Sequence, residues 1–226
     1  MLSFFEPYLA VIGDIKDSRH LADRREVQNR LKKILDEIND IYEEDISSRF
    51  LITLGDEFQG LLNRGDNVIQ IISVIEQKMY PVKLRFGLGI GKITTEIIAE
   101  AAIGADGPGY YEARDAIEYL KENEKRKKRA ESNIRIGIEQ PDRLQPLMLN
   151  TILSLMSVIK ESWSERQREI IYDMLDHGDG QSDVARRLGV SQPTVQKSLA
   201  AGNYYSYKEG LDALSEALKR IGRADV

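Results

Sequence analysis

The sequence predicts an α+β protein that ends in an all-helical region, and three observations support this prediction. Over the first 140 residues, short apolar runs typical of strands alternate with longer segments whose apolar residues recur every 3.6 positions. Beyond residue 140 every signal is helical. Apolar residues make up 42% of the 226, enough for one large or two modest cores. We therefore predict a sheet with helices over residues 1–140 and a helical domain over residues 141–226.

Composition excludes several kinds of protein. The formal net charge of −5 argues against a mainly electrostatic binder of nucleic acid or anionic membranes. The chain has no cysteine, which excludes disulfides and thiolate metal sites. The apolar start is interrupted at Asp14, too early for a signal peptide or membrane anchor, and no apolar run approaches ~18 residues. We expect a soluble cytoplasmic protein without a membrane partner.

The predicted order of the first part is strand, helix, hairpin, helix, strand, helix, strand. Strands are expected over residues 8–15, 49–62 (the hairpin), 82–93 and 133–138. Helices are expected over residues 21–44, from an Asp66 cap to Pro81, and over residues 110–129. Asp17 and Ser18 offer an N-cap for the first helix.

Three alternate glycines mark one face of the predicted strand 82–93. Gly87, Gly89 and Gly91 leave that face without side chains. Such a face allows close approach by a ligand or by another backbone, and a local twist or bulge is an equally good explanation.

Two strand-like runs end in Gly-Asp, and this repetition predicts a binding site. Asp14 follows the first strand, while Asp56 and Glu57 occupy the hairpin turn. Two carboxylates within a few Å repel each other unless a proton or a cation neutralises them. Oxygen ligands suit Mg²⁺ or Mn²⁺, so we predict that Asp14 and Asp56 meet and hold such an ion. The alternative is that these residues are solvated turn residues.

A phosphate site is expected beside this pair. Lys16, Ser18 and Arg19 follow Asp14 at a predicted turn from strand to helix. Backbone N–H groups at a helix start can hold phosphate, and the bare face at Gly89 would leave room for it. The segment therefore predicts a cradle for a nucleotide.

The segment 181–200 has the spacing of a helix-turn-helix. Ala185 is small where two helices would cross, Gly189 follows at the turn, and Val195 lies six residues later in the second helix. The residues predicted to face double-stranded DNA are Ser191, Gln192, Thr194, Gln196 and Lys197. The alternative is a helical unit for protein contacts, since residues 151–226 carry 10 Lys/Arg against 11 Asp/Glu.

Four segments together resemble the palm-type domain of class III nucleotidyl cyclases and GGDEF cyclases over about residues 7–138. The segments are GDIKDSR, TLGDEFQGLL, LRFGLGIGKI and IGADGPGYYEARDAI. The resemblance implies a ferredoxin-like palm domain of the βααββαβ type. It also implies metal ligation by Asp14, Asp56 and the Ile15 carbonyl, with Glu57 as the second acid of the hairpin. Arg114 would be the catalytic arginine that stabilises phosphate charge.

With the appended helix-turn-helix, the whole chain resembles the SatD family. Leu54 stands where the GGDEF pattern has its first glycine, so we expect nucleotide and metal binding ahead of turnover. The resulting hypothesis is a regulator that couples nucleotide binding with Mg²⁺ to DNA binding, working as a homodimer. The alternatives are an active nucleotidyl cyclase or nucleotidyltransferase, and a non-catalytic scaffold for protein contacts.

Overall fold

The chain forms a five-stranded mixed sheet with helices on both faces, followed by five consecutive helices. We describe a computed structural model, which covers residues 7–53, 55–126, 132–140 and 143–220. The first part contains β1 (Tyr8–Ile15), α1 (Arg24–Ile41), β2 (Ile46–Ile52), β3 (Glu57–Leu62), α2 (Val68–Met79), β4 (Leu84–Gly91), α3 (Pro108–Lys125) and β5 (Ile134–Ile138). The second part contains α4 (Leu144–Glu161), α5 (Glu165–His177), α6 (Gln181–Leu188), α7 (Gln192–Ala201) and α8 (Tyr204–Lys219). The prediction of an α+β protein is confirmed.

The strand order is β2-β3-β1-β4-β5. The pairs β2–β3, β3–β1 and β1–β4 are antiparallel, and β5 runs parallel to β4. Along the chain the order is β-α-β-β-α-β-α-β, as predicted segment by segment. The βααββαβ order implied by the cyclase resemblance is wrong. Only one α-helix, α1, lies between β1 and the β2–β3 hairpin, which follows α1 through a short turn at Glu43–Asp45.

The central strand β1 is covered on both faces. Ala10, Val11 and Ile12 are fully buried. Val11 joins the core formed with α1 and α2, whereas Ala10 and Ile12 join a smaller cluster with α3. A strand that is buried on both faces has a continuous apolar sequence, and the limits of that apolar run mark the limits of the strand. Both ends of β1 therefore match the prediction.

Helix α3 packs its backbone directly onto the glycine face of β4. A Cβ at Gly87 would lie 2.2 Å from the Ala113 carbonyl oxygen, and one at Gly89 would lie 1.9 Å from the Gly109 carbonyl oxygen. Of the explanations for the alternate glycines, close approach by another backbone is therefore the one observed.

Several predicted boundaries need correction. Helix α1 is capped by Asp23, which accepts from the Glu26 N–H, whereas Asp17 adopts the left-handed region and makes no cap. Asn67 rather than Asp66 precedes α2, without a side-chain cap. Strand β2 begins at Ile46, and α3 begins at Pro108. Residues 127–129, at the predicted end of α3, lie outside the described residues.

The helical part shares a core with the sheet part. One hydrophobic cluster runs without interruption from β1 and α2 to α4, α5, α7 and α8. Lys160 on α4 also forms a 2.6 Å ion pair with Glu76 on α2. Helix α5 begins with the predicted capping box, in which Ser164 and Gln167 satisfy each other's backbone N–H groups. No helix within the described residues is long and apolar enough to span a membrane.

Candidate functional site

The strand register brings charged side chains together at the end of β1. Asp14 lies opposite Glu57 on β3 and opposite Arg85 on β4. Directly paired residues of antiparallel strands point to the same face, which here is the face covered by α3. The site therefore forms where the sheet and the second half of α3 meet.

Asp14 is held by two cations. Its carboxylate accepts a hydrogen bond from Arg85 and lies 3.4 Å from the Lys121 ammonium of α3. Only 8% of the Asp14 side chain is exposed. Arg85 also donates to Glu124, so one guanidinium links two carboxylates.

Lys16 completes this network from the segment after β1. Its ammonium lies 3.6 Å from Glu124. Burial lowers the pKa of Lys16 despite the opposing attraction of Glu124. Burial by itself raises the pKa of Glu124, but the hydrogen bond from Arg85 and the attraction of Lys16 outweigh it, so this pKa lies below its usual value.

Arg114 reaches the site from α3. Its Nη1 lies 2.7 Å from both carboxylate oxygens of Glu57. The Glu57 side chain is 14% exposed and that of Arg114 is 43% exposed. The residue predicted from the cyclase resemblance therefore lies beside the hairpin and keeps a solvent-facing surface.

The hairpin turn contacts the segment after β1. The Ile15 N–H donates to the Asp56 carbonyl at 3.1 Å, and the buried Ser18 hydroxyl donates to the Asp56 carboxylate. Gly55 adopts a φ of 66°, a left-handed conformation that glycine adopts at little cost. The chain segments of Asp14 and Asp56 are thus neighbours, while Arg19 is exposed beside them.

The donor set does not fit a preformed Mg²⁺ or Mn²⁺ site. Asp14 pairs with Arg85 and Lys121, Glu57 pairs with Arg114, and Asp56 accepts from Ser18. Within the described residues, no three His, Asp or Glu side chains are grouped so that they could hold a metal. A cation binding at Asp14 would have to displace two protein cations first.

A cleft of about 590 Å³ lies next to the network. Lys16, Lys83 and Arg85 line it, with Glu161 contributed by α4. Among the residues predicted to bind phosphate, Lys16 lines this cleft, whereas Gly89 is covered by α3.

Sequence reasoning missed Arg85, Lys121 and Glu124. One signal for Arg85 was available. It is a charged residue in an otherwise apolar strand, two positions before Gly87 and therefore on the same face as the glycines. Lys121 and Glu124 belong to a charged helix end, and nothing in the sequence separates them from their neighbours.

The second candidate site is the pair α6–α7. Val184, Ala185, Val195 and Leu199 are buried and hold the two helices together. Gly189 ends α6 in the left-handed conformation, with a φ of 64°. These positions produce a tight turn between two packed helices.

The start of α7 is fixed by the predicted cap. The Ser191 hydroxyl accepts a hydrogen bond from the Thr194 N–H at 3.3 Å. Gln192, Gln196 and Lys197 are exposed, as are Ser191 and Thr194. All five predicted residues are thus exposed, while Gln192 donates to Gln181 of α6 and the Ser191 and Thr194 hydroxyls lie 2.8 Å apart.

Comparison with known proteins identifies the family. No curated protein matches the chain. A solved structure described as a regulator of polyketide synthase expression from Bifidobacterium adolescentis is similar at 13% identity and a TM-score of 0.30, covering 95% of this chain and 86% of that one. The SatD family profile matches residues 8–209. The chain belongs to the SatD family.

Proposed function

We propose that this SatD family protein is a transcriptional regulator that binds double-stranded DNA through α6–α7 as a helix-turn-helix. The supporting observation is the two-sided character of α7. One side is fixed in the core by Val195 and Leu199, and the other exposes hydrogen-bonding side chains. A recognition helix has to be held rigidly and to expose polar groups near its N-terminus. Here Gln192 and Thr194 would exchange their present bonds, to Gln181 and to Ser191, for bonds to DNA.

The exposed side chains match base-edge chemistry. Gln can hydrogen-bond adenine bidentately, and Thr can contact either a base edge or a thymine methyl group. Gln192, Thr194 and Gln196 supply these groups over the first turns of α7.

The charge of this region determines how strongly binding depends on salt. Arg186 and Arg187 already pair with Asp183, Asp173 and Asp179, so few cations are available to phosphates. Lys197 is exposed on the proposed DNA face. Because each phosphate contact releases counterions and few cations are available to make such contacts, affinity is expected to fall with rising salt along a shallow slope.

The test is fluorescence anisotropy with a DNA fragment from the protein's own promoter region. Lys197→Ala is expected to lower the slope of log affinity against log salt by about 1. Lys208→Ala is the matched control, because Lys208 lies on α8 in an ion pair with Asp212. Absence of binding at about 50 mM salt would refute the proposal.

We further propose that the charged site at the end of β1 binds a phosphate-bearing ligand of the nucleotide type. The supporting observation is that Lys16 and Arg85 line one cleft and Arg114 pairs with Glu57, which lies opposite Asp14 on the sheet. Each of these cations is held by a carboxylate that a phosphate could replace. The β2-β3-β1-β4 order, with Asp14 and the hairpin at one end of the sheet, supports the palm-type interpretation. The ligand would influence DNA binding only through different affinities for two arrangements of the chain.

A thermal-shift series with each nucleoside triphosphate, with and without Mg²⁺, tests this proposal when product chromatography runs beside it. Arg114→Ala should abolish the stabilisation, whereas Arg126→Ala, a more exposed arginine after α3, should keep it. Stabilisation without product supports a sensor, and new product supports a nucleotidyl cyclase or nucleotidyltransferase. No response to any nucleotide would refute ligand binding and favour the scaffold alternative.

A further inference from the structure

Helix α4 has two apolar faces, and only one of them is buried against other residues that the structure describes. Leu149, Leu153 and Met156 are buried against the rest of the protein. The other face carries a row of apolar side chains with exposed fractions between 55% and 63%, which we call the α4 stripe. The α4 stripe consists of Leu144, Leu147, Met148, Leu155 and Val158.

The spacing of this face is that of a helix-pairing seam. Starting from Leu144, exposed residues follow at 148, 151, 155 and 158, in steps of four, three, four and three. The mean step of about 3.5 residues is the repeat that keeps one helix in contact with another. At about 1.5 Å per residue, the seam is roughly 21 Å long.

Thr151 lies at the middle of the seam and does not oppose burial. Its hydroxyl donates to the Leu147 carbonyl at 2.8 Å, inside the same helix. The donor is therefore satisfied when the seam is covered, and the Thr151 methyl group is available for contact.

The structure also excludes one common docking mode at this edge. Strand β5 is the edge strand, and an exposed edge invites an added strand. The Asn150 side chain occupies it by accepting from the Ile136 N–H and donating to the Ile136 carbonyl, both at 2.8 Å. A partner at this surface must therefore use helix packing.

We propose that a second copy of this chain covers the α4 stripe, with the two α4 helices antiparallel about a two-fold axis at Thr151. In this arrangement Leu144 of each copy lies beside Val158 of the other, so apolar groups meet along the whole seam. Arg143 is exposed at the start of α4, and Glu161 is exposed at its end. Antiparallel packing brings these opposite charges together at both ends, whereas parallel packing would place like charges together.

The available area suits a modest dimer interface. Five exposed apolar side chains contribute roughly 100 Å² each, or on the order of 500 Å² per copy. A standard interface buries about 800 Å² per partner. A groove of about 930 Å³ beside α4, lined by Tyr119, Arg135 and Leu155, offers further surface. The Arg135 guanidinium lies 3.4 Å above the centre of the Tyr119 ring, which gives this flank a polar rim.

This inference does not depend on DNA or nucleotide binding. Its consequence for the proposed function is that one dimer would contain two α6–α7 units, which is the number needed to bind two DNA half-sites. The dimer is therefore tested without either ligand.

Light scattering of the full chain measures its mass as a function of concentration. The unchanged protein is expected to show twice the chain mass, and Leu155→Glu is expected to weaken dimerisation by about 100-fold or more. Ile41→Glu is the control, because Ile41 is an exposed apolar residue of α1 that is 68% exposed. It should keep the dimer mass, and both variants should keep the helical circular dichroism. A single-chain mass for the unchanged protein at about 100 µM, or a Leu155→Glu variant that still dimerises, would overturn the proposal.

Single cysteines determine the direction of the helices, since the chain contains no cysteine of its own. Thr151→Cys places the two thiols at the proposed axis, so a short bifunctional maleimide should link the two copies. Val158→Cys places the thiols at opposite ends of the antiparallel pair and should not be linked. Efficient linkage through position 158 would show a parallel pair and overturn the proposed arrangement.

Discussion

The ion pair between Lys160 and Glu76 is expected to be a main connection between the helical part and the sheet part. The Lys160 ammonium lies 2.6 Å from the Glu76 carboxylate, and the two side chains are 9% and 13% exposed. Glu76→Gln would leave a buried ammonium without its counter-charge. Removing one partner of such a pair costs about 3–5 kcal/mol in free energy of unfolding. We expect this loss for Glu76→Gln and a loss near about 3 kcal/mol for Lys160→Met.

The double variant measures the interaction energy between Lys160 and Glu76 separately from the contacts of each residue with the rest of the protein. In the double variant Glu76→Gln/Lys160→Met neither charge has to be desolvated, so the net change is expected to be much smaller than the sum of the two single losses. The single losses should therefore not add, and the double-mutant cycle should give a coupling energy of roughly 3 kcal/mol or more.

The pH dependence has a defined sign. Burial by itself lowers the pKa of Lys160, but Glu76, with the nearby Tyr207 and Tyr172, outweighs burial and raises it above its ordinary value of 10.5. The native state then holds this proton more tightly than the unfolded state does. The contribution of Lys160 is therefore fully present below pH 10.5 and lost as pH rises through the folded pKa. The difference between the unchanged protein and the double variant Glu76→Gln/Lys160→Met, which leaves no buried carboxylate unpaired, should be constant from about pH 6 to about pH 9.

Urea unfolding followed by circular dichroism measures these free energies. Lys208→Ala is the control, since Lys208 and Asp212 form an exposed pair within α8, and its cost should stay within about 0.5 kcal/mol. The reasoning fails if Glu76→Gln costs less than about 1 kcal/mol, or if the double variant loses the sum of the single losses.

Two further substitutions test the packing of β4 and the start of α7. Gly89→Ala would place a Cβ 1.9 Å from the Gly109 carbonyl oxygen and should cost about 1–3 kcal/mol or more in a thermal or urea melt. Gly180→Ala, whose nearest neighbour would lie 3.3 Å away, should cost less, and equal losses would contradict the packing argument. Ser191→Ala removes the α7 cap and should lower the unfolding free energy by about 1 kcal/mol. Ser206→Ala on the exposed side of α8 should change it by no more than about 0.5 kcal/mol.

Local signals were the part of the structure that could be predicted. The ends of β1, the Ser164 capping box and the Ser191 cap depend on residues within a few positions of one another. The same holds for Gly189, where a small residue without Cβ ends a helix in the left-handed conformation. At the start of α1 and α2, several polar residues compete for one cap, and the sequence does not decide between them.

The candidate site was only half visible in the sequence. Asp14 and Asp56 could be chosen because Gly-Asp ends two strand-like runs, and Arg114 because its motif resembles that of a known family. Arg85 could not be assigned to Asp14, because that pairing depends on β1 lying next to β4 and on the register between them. Strand order is decided by contacts distant in the chain, which no local pattern records.

By itself, the sequence determined the fold class, the order of elements and the small helical unit α6–α7. The spacing of apolar residues, the helix caps and the turn residues each depend on a few neighbouring positions, so they can be predicted from the sequence alone. Tertiary structure alone decided that Asp14 is neutralised by Arg85 and Lys121 and that the glycines of β4 receive α3. It also decided which of the two apolar faces of α4 stays exposed. These outcomes depend on which distant parts of the chain come into contact. A sequence records that a side chain is apolar or charged, but it does not record whether another segment covers that side chain.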